Sequence, residues 1–410
     1  MNDISKTAPA APAAVPDKTA YWTAYSNTSA RVVLWPDAID AMPQEIDAIG
    51  CKRLLLICGG TTSRSKLLEK VMSVLGDRVV ATITDAGHHT PSGQVMKGAG
   101  IARDAAVDGL VAVGGGSASD LAKGISIVLT EGGHIADHAS RFVPPDQFYP
   151  KELHAPKLPV IAVPTTASAA EVTPGLGVRN EEDGRKMLFW DVKLAARLIV
   201  LDPKANVEVP VSLMAQTAMN GFAHCVEGMY SRLRNPISEA LALQGIRILY
   251  REVPLMVAYP SSVEHRAGVL AGAHLSGMVI SNARVGVHHA MCHCLGALGG
   301  LSHGEANSIM LPVAMAFNLD AATDELAQMA VAMGVASDGM TPRAAAEASI
   351  AAVRDFQKKA NVPTRLRDTA LDRAKLPDIA AHALNDRGLY FNPRRISTAG
   401  PILELLEAAW

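Results

Sequence analysis

The feature that most constrains the fold is a change of rhythm near residue 205. Before it, short aliphatic runs alternate with amphipathic stretches. Arg31–Trp35, Arg53–Cys58, Val79–Thr84, Gly109–Val113, Pro159–Pro164 and Leu198–Asp202 read as strands, and Ala38–Ile49, Ser63–Leu75 and Ser92–Val107 as helices. Strands and helices alternating at this spacing predict a parallel, doubly wound sheet. From Val209 to Trp410 the windows are long and helical, with almost no strand-like run. Asn235-Pro236 and Thr341-Pro342 each offer a capping side chain followed by proline at the first helical position, and both mark helix starts, the second running to about Lys359. The reading is an α/β N-terminal domain (a Rossmann-like parallel sheet) over residues 23–205, followed by an all-α domain over 206–410. Residues 1–22 are Ala/Pro-rich without periodicity and are expected to form a mobile tail.

A chain of 410 residues has room for two or three domains, and its 49% hydrophobic content suits a packed core. The formal charge of −2 gives no basic footprint for nucleic acid. The five cysteines, Cys51, Cys58, Cys225, Cys292 and Cys294, are odd in number and include no CxxC pair, so reduced thiols are expected. The N-terminus lacks an apolar signal core, and no apolar run reaches the ~20 residues of a membrane span. A soluble, cytoplasmic protein with a small-molecule substrate, no nucleic-acid partner and no membrane partner is expected.

Two motifs carry chemistry. Val111–Lys123 (VAVGGGSASDLAK) is a strand, a glycine turn and a helix. Glycines let backbone approach a pyrophosphate, and the N–H groups and dipole of the helix start attract it; a plain tight turn between strand and helix is the alternative. The pattern is not GxGxxG, so an ordinary dinucleotide fingerprint is not implied. The second motif is histidine-rich. Asn220 and His224 are four apart, as are His289 and His293, so each pair shares a helix face, and His303 follows. Helices presenting such side chains inward build metal sites in bundles. Unliganded core or surface histidines are the competing reading for each one alone.

GGGSASDLAK resembles the GGGSxxDxAK loop of the iron-containing alcohol dehydrogenases, where it cradles the cofactor pyrophosphate. The resemblance makes Gly115, Gly116, Ser117 and Asp120 cofactor-site positions. Pro164–Pro174 (PTTASAAEVTP) is similar to the family's PTTxxxxSEVTP stretch, where threonines reach the cofactor, which implicates Thr165 and Thr166. It is one residue shorter than the usual alcohol dehydrogenase form. Many members place an aspartate after the first nucleotide-fold strand to bind the adenosine ribose; Gly59 stands there in this chain, with Thr61, Thr62, Ser63 and Arg64 after it. Without that carboxylate a 2′-phosphate is not repelled, so both NAD(H) and NADP(H) are expected to serve.

The family's metal helix, GMDxxxHxxE, and its two later histidines fourteen residues apart imply Asn220, His224, His289 and His303 as the metal positions. His293 matches a histidine near the nicotinamide, a candidate proton relay. Asn220 replaces the family's aspartate, and a neutral amide is a weaker ligand for a hard divalent ion. In this the chain resembles the maleylacetate reductase branch, thought to work without metal, as it does in the words AHCVE and HHxxCHxLG, in His89-Thr90-Pro91 and in Asn392-Pro393-Arg394 with the terminal Leu405–Trp410. It departs from that branch at Ala290, at Ser302–Asn307, which is closer to the alcohol dehydrogenase HGxAN, and in an insertion over Gly132–Lys157. The resemblance covers about residues 28 to 410. It implies a dehydroquinate synthase-like, iron-alcohol-dehydrogenase architecture and a homodimer.

The expected chemistry is hydride transfer between a nicotinamide and a carbonyl or alcohol carbon, with His293, His289 and His224 as catalytic candidates. The leading expectation is a maleylacetate reductase-like enzyme of aromatic catabolism in which iron or zinc is held weakly or not at all. The alternatives are a metal-dependent alcohol dehydrogenase acting on simple alcohols or aldehydes, and a non-catalytic binding protein. Arg284, Arg394 and Arg395 are candidates to clamp a substrate carboxylate, against solvated surface arginines as the plain alternative.

Overall fold

A computed structural model describes residues 25, 30–87, 89–143 and 147–410. Most of the expected N-terminal tail lies outside the described residues. The strands of the α/β half are β1 (Arg31–Leu34), β2 (Leu54–Cys58), β3 (Val79–Ile83), β4 (Gly109–Gly114), β5 (Arg141–Val143), β6 (Gln147–Tyr149), β7 (Val160–Pro164), β8 (Gly175–Arg179), β9 (Lys186–Trp190) and β10 (Leu198–Leu201). Its helices are α1 (Met42–Ile49), α2 (Lys66–Leu75), α3 (Ser92–Asp104) and α4 (Gly116–Glu131). Six strands form one parallel sheet in the order β1-β10-β7-β4-β2-β3.

Alternate residues of these strands point to opposite faces, as the two-residue period requires. Leu54, Leu56, Val111, Val113, Ile161 and Val163 pack with Met42, Ile46, Leu68 and Val71 of α1 and α2. Leu55, Ile57, Leu110, Ala112 and Ala162 pack on the other side with Val95 and Ala99 of α3 and Leu121 and Ile125 of α4. Both faces are therefore dry, which explains the uninterrupted aliphatic runs of β2, β4 and β7.

Two hairpins depart from the sequence expectation. β5 pairs antiparallel with β6, and β8 with β9. The second hairpin turns at Asn180–Gly184 and packs against α4 through Leu176 and Val178. The expected helix over Ala38–Ile49 opens as a 3-10 turn at Ala38–Ala41 before α1, and the one over Ser63–Leu75 opens as a 3-10 turn at Thr62–Arg64 before α2, because Ser65 in extended backbone caps α2 by accepting from Leu68 N.

After β10 the described chain is helical: α5 (Pro203–Asn206), α6 (Val211–Tyr230), α7 (Pro236–Ala258), α8 (Val263–Ala283), α9 (Val287–Ala297), α10 (His303–Asn318), α11 (Thr323–Ala332), α12 (Pro342–Lys359), α13 (Leu376–Ala383), α14 (Gly388–Phe391) and α15 (Ala399–Ala408). No helix among the described residues is long and apolar enough to cross a membrane. The core of α6, α7 and α8 is continuous with the sheet's α3–α4 face, whereas α9, α10, α13 and α15 share a smaller core around Met291, Ile309 and Leu406. Asn392 joins helix ends in this second unit. Its Oδ1 accepts from Val287 N and from Asn318 Nδ2, and its Nδ2 donates to Asn318 Oδ1.

Asn235 starts α7 as the sequence suggests. Its Oδ1 accepts from Ile237 N at 3.1 Å and Ser238 N at 3.0 Å, while Ser238 Oγ accepts from Asn235 N at 3.0 Å. Asn235→Ala removes the acceptor for one buried and one part-buried donor and should destabilise the protein by about 1–2 kcal/mol in denaturant unfolding; an unchanged midpoint would show the cap to be dispensable.

Candidate active site

The sheet order sets where a ligand can bind. Numbering only the strands from β2 onward, the chain runs outward to β3, returns past β2 to β4 and continues to β7 and β10. The reversal lies between β2 and β4, and open parallel sheets bind ligands beyond the strand ends at such a point. The loops there are Gly59-Gly60 after β2 and Gly114–Gly116 after β4. Gly114 has φ 144°, a conformation other residues rarely adopt. Gly115 is the cap of α4 and makes no side-chain cap hydrogen bond, so the first N–H groups of a sixteen-residue helix face the crevice. A Cβ on Gly115 would meet Thr166 Cγ2 at 3.2 Å, and one on Gly116 would meet Ala170 Cβ at 3.4 Å. A Cβ on Gly59 would find only Ala86 O, at 3.6 Å, so the ribose end is open.

Ser117 lies in the first turn of α4, and its carbonyl accepts from Thr90 Oγ1 at 3.5 Å, which brings His89-Thr90-Pro91 to the loop. Asp120 is partly exposed and uses Oδ2 to accept from Gly177 N at 3.2 Å, tying β8 to α4. Lys123, fully buried, donates to the carbonyls of Ala170, Thr173 and Gly175 at 2.6, 2.7 and 3.0 Å. The loop after β7 is thereby fixed. Thr165 N donates to Gly114 O at 3.0 Å, and Thr166 Oγ1 lies 3.0 Å from Ser168 Oγ. Ala169 holds φ 60° although it is not glycine.

The far side of this loop touches the histidine site. Ala167 N donates to Thr217 Oγ1 at 3.0 Å, and Asn220 Nδ2 reaches Ser168 O at 3.4 Å. Thus Thr165–Ala170 is one wall shared by the glycine loop and α6. Asn220, His224 and Glu227 follow one another on a single face of α6, as their 4- and 3-residue spacing dictates. Helix α9 faces them with His288, His289 and His293, and His303 begins α10. The ring centroids of His224 and His289 are 4.9 Å apart, those of His289 and His303 5.9 Å, and those of His293 and His303 5.9 Å. All four sequence-expected metal positions and the expected relay converge.

Hydrogen bonds fix the tautomers. The Glu227 carboxylate accepts from Gly286 N at 2.8 Å, from His288 N at 3.0 Å and from His289 Nδ1. Burial would raise Glu227, but the facing His289 and His288 outweigh it and hold the carboxyl well below its usual range. Burial lowers His289 to about 4 despite that carboxylate, so at neutral pH its single proton sits on Nδ1. Its Nε2 lone pair then faces Asn220 Oδ1, another acceptor, at 3.0 Å. Ser276 Oγ donates to Ala273 O, so it can only accept from His224 Nδ1 at 3.4 Å, which leaves the Nε2 of His224 unprotonated. Burial likewise holds His224 well below an ordinary imidazole, whereas His303, at the start of α10, reaches solvent. Neutral rings oriented from behind by a carboxylate and a hydroxyl are what a divalent cation requires of histidine ligands. The residues therefore fit a metal in donor type and, for His224 and His289, in protonation, although the carboxylate stands one layer behind the donors and the nitrogens of His224, His289 and His303 are more widely spread than the Glu227, His288 and His289 group. Glu227, His288 and His289 also lie close enough to suggest a metal group by themselves, but the hydrogen bonds that Glu227 accepts give it the orienting role instead.

His293 differs from the buried His224, His288 and His289. Its Nδ1 lies 2.8 Å from Asp386 Oδ2, and its side chain is 29% exposed against 3% for His289. Burial would raise Asp386, but the imidazole and the Gly388 N–H, which donates to Oδ1 at 2.7 Å, keep the carboxyl below its ordinary value. Sequence reasoning quoted Glu227 without a role, though its spacing from Asn220 and His224 placed it on the same face; Asp386, 93 residues from its partner, left no local signal. Of the three arginines proposed as clamps, Arg394 and Arg395 are corrected. Both are exposed, and Arg394 is spent on Phe317, 4.2 Å from its ring and bonded to its carbonyl.

The glycine loop generates one prediction. Gly116→Val should abolish NADH binding in a fluorescence titration, because the added methyls fill the gap between the loop and Ala170, while the far-ultraviolet circular dichroism stays unchanged. Unaltered nucleotide affinity would remove the loop from the cofactor site.

Comparison with known proteins agrees with this geometry. Residues 29–203 match iron-containing alcohol dehydrogenase, and residues 214–410 match the C-terminal part of the Fe-containing alcohol dehydrogenase family. Maleylacetate reductase 1 of Cupriavidus pinatubonensis is 30% identical over 372 residues, covering 90% of this chain and 92% of that one. The 1,3-propanediol dehydrogenase of Klebsiella pneumoniae is 32% identical over 365 residues, covering 88% and 92%. The crystal structure of a 1,3-propanediol oxidoreductase, 30% identical, superposes with a TM-score of 0.86 over 92% of this chain and 97% of that one. With both halves matched and the nucleotide crevice and histidine cluster in place, the chain belongs to the iron-containing alcohol dehydrogenase family and is an NAD(P)-dependent oxidoreductase.

Proposed function

We propose that the chain reduces an oxo acid or an enone acid, in a maleylacetate reductase-like role, with either NADH or NADPH as the electron donor. The observation that carries this reading is the pairing of His293 with Asp386, which holds a partly exposed imidazole beside His289 and His303. Bound NAD(P)H supplies the hydride. The protein's part is the proton. Asp386 holds the Nδ1 side of His293, so that Nε2 is left to pass a proton to the developing alkoxide and to regain one from water. The Thr165–Ala170 wall holds the nucleotide side of the crevice against α6, and Lys123 keeps that wall rigid.

Asn220, His224, His289 and His303 would hold a divalent ion, which when bound polarises the substrate oxygen. With an amide in place of a carboxylate, that hold is weak. The alcohol dehydrogenase reading, with a metal essential, is favoured by one observation: the unprotonated Nε2 atoms that Glu227 and Ser276 impose on His289 and His224.

The assay is NAD(P)H oxidation with a series of oxo acids and aldehydes before and after chelation. Purified protein should contain well under one tightly held metal per chain, and chelator should leave the rate within about twofold. Asn220→Asp should raise zinc affinity by at least about tenfold. Stoichiometric metal, with activity lost to chelator and restored by metal, would move the chain to the alcohol dehydrogenase reading. The open end of β2 at Gly59 predicts NADPH use within about tenfold of NADH, a gap of ~1.4 kcal/mol; a preference for NADH by several orders of magnitude would show that another group guards the ribose.

A further inference from the structure

Arg284 occupies the bend between α8 and α9, five residues before His289. Its backbone has φ 70°, a conformation that favours glycine. Its guanidinium lies 3.7 Å from the ring centroid of Trp190, the last residue of β9, so the contact joins the helical half to the hairpin of the α/β half. Among the described residues its buried Nη1 has no hydrogen-bond partner, and it forms no ion pair with a carboxylate. Burial pushes the group down to about 9, and the charge that adds to this is another cation, Arg387. Arg387 follows Asp386, the residue that holds His293.

The left-handed backbone and the unused donor cost stability, and the stack on Trp190 offsets only part of that cost. A left-handed backbone strains a residue with a side chain, and a desolvated cation with an unused donor lacks the partner that normally justifies its burial. Stacking on Trp190 fixes the plane of the guanidinium, which aims its remaining N–H edge. Arg387, a second cation close enough to act on Arg284, adds positive charge on that side, with Asp386 next to it in sequence. The ligand chemistry that answers all of this is a planar anion able to accept two parallel N–H bonds.

We propose that Arg284, planted on Trp190 and supported by Arg387, is the anchor for a carboxylate of the substrate. The enzyme then selects a carbonyl compound that carries its acid group at one end while the carbonyl meets His293. This rests on the reductase reading above and adds to it a specificity-determining residue. It also explains why a strained residue stands where glycine would fit: glycine supplies the backbone geometry but no charge.

The test separates anchoring from folding and from turnover. Wild type and variants are titrated with glutarate, an unreactive dicarboxylate, and with glutaramide, its neutral diamide, following tryptophan fluorescence in the presence of NADH. Wild type should bind glutarate about thirtyfold more tightly than the diamide. Arg284→Gln should abolish that preference, Arg284→Lys should keep part of it, and Arg284→Gly, which suits the backbone, should abolish it without lowering Tm. In turnover, Arg284→Gln should raise KM for 4-oxobutanoate about thirtyfold with kcat and NADH affinity little changed, and should leave butanal unaffected. Equal glutarate binding by wild type and Arg284→Gln overturns the proposal. So does a fall in Tm or NADH affinity in Arg284→Gly, which would make the residue structural. Glutarate binding that depends on Arg284 without any reduction of 4-oxobutanoate keeps the anion site and removes the oxo-acid reductase reading; equal turnover of butanal and 4-oxobutanoate does the reverse.

Discussion

The arrangement of the helical half depends on one carboxylate. Glu227 projects from α6 into a dry space, where an unpaired anion would be untenable, and satisfies itself on two backbone N–H groups and a ring N–H at the start of α9. That single group docks α9 against α6, terminates the bend after α8, and decides which nitrogen of His289 carries the proton. It also dictates the neighbouring sequence. A Cβ on Gly286 would lie 2.8 Å from Asn392 Oδ1 and 3.0 Å from Glu227 Oε1, so only glycine lets the backbone approach so closely. Asn392 arrives from nearly the end of the chain to bond the next N–H, that of Val287, which draws α10 and the C-terminal helices into the same node.

Much of the α/β half is legible from residue order because its determinants are local. Buried parallel strands announce themselves as aliphatic runs; in the helical half, too, a start such as Asn235-Pro236 carries its own capping chemistry. The β8–β9 hairpin is not read from hydropathy, since Gly175–Arg179 and Lys186–Trp190 are short and mixed; the visible cue is Asp183-Gly184 between them, a common turn pair. The 3-10 openings before α1 and α2 have a different cause, in that caps and packing move helix starts by a few residues without altering the hydrophobic period.

The reaction centre divides along the same line. Asn220, His224, His289, His293 and His303 could be named from spacing and resemblance, because two helix faces and the start of a third helix bear them. Their protonation could not, since it follows from Ser276 on α8, from Glu227 and from Asp386, which reach the rings only through tertiary structure. The same applies to the arginines. Arg284, Arg394 and Arg395 are equivalent as letters, yet one is fixed on Trp190 beside the cluster and another lies over Phe317.

The shared wall at Thr165–Ala170 has a consequence of dimension. One end is fastened to the glycine loop through Thr165, the other to α6 through Ala167, and Lys123 clamps the carbonyls behind it. With both ends and the back held, the wall has no slack, and its residue count works as a spacer. One residue of extended chain spans about 3.5 Å, roughly the separation of two atoms in contact. A stretch one residue shorter than the usual alcohol dehydrogenase form would therefore draw the glycine loop and α6 closer by about that much. In this fold, the length of that loop is the spacer that sets how wide the crevice between its two halves can be.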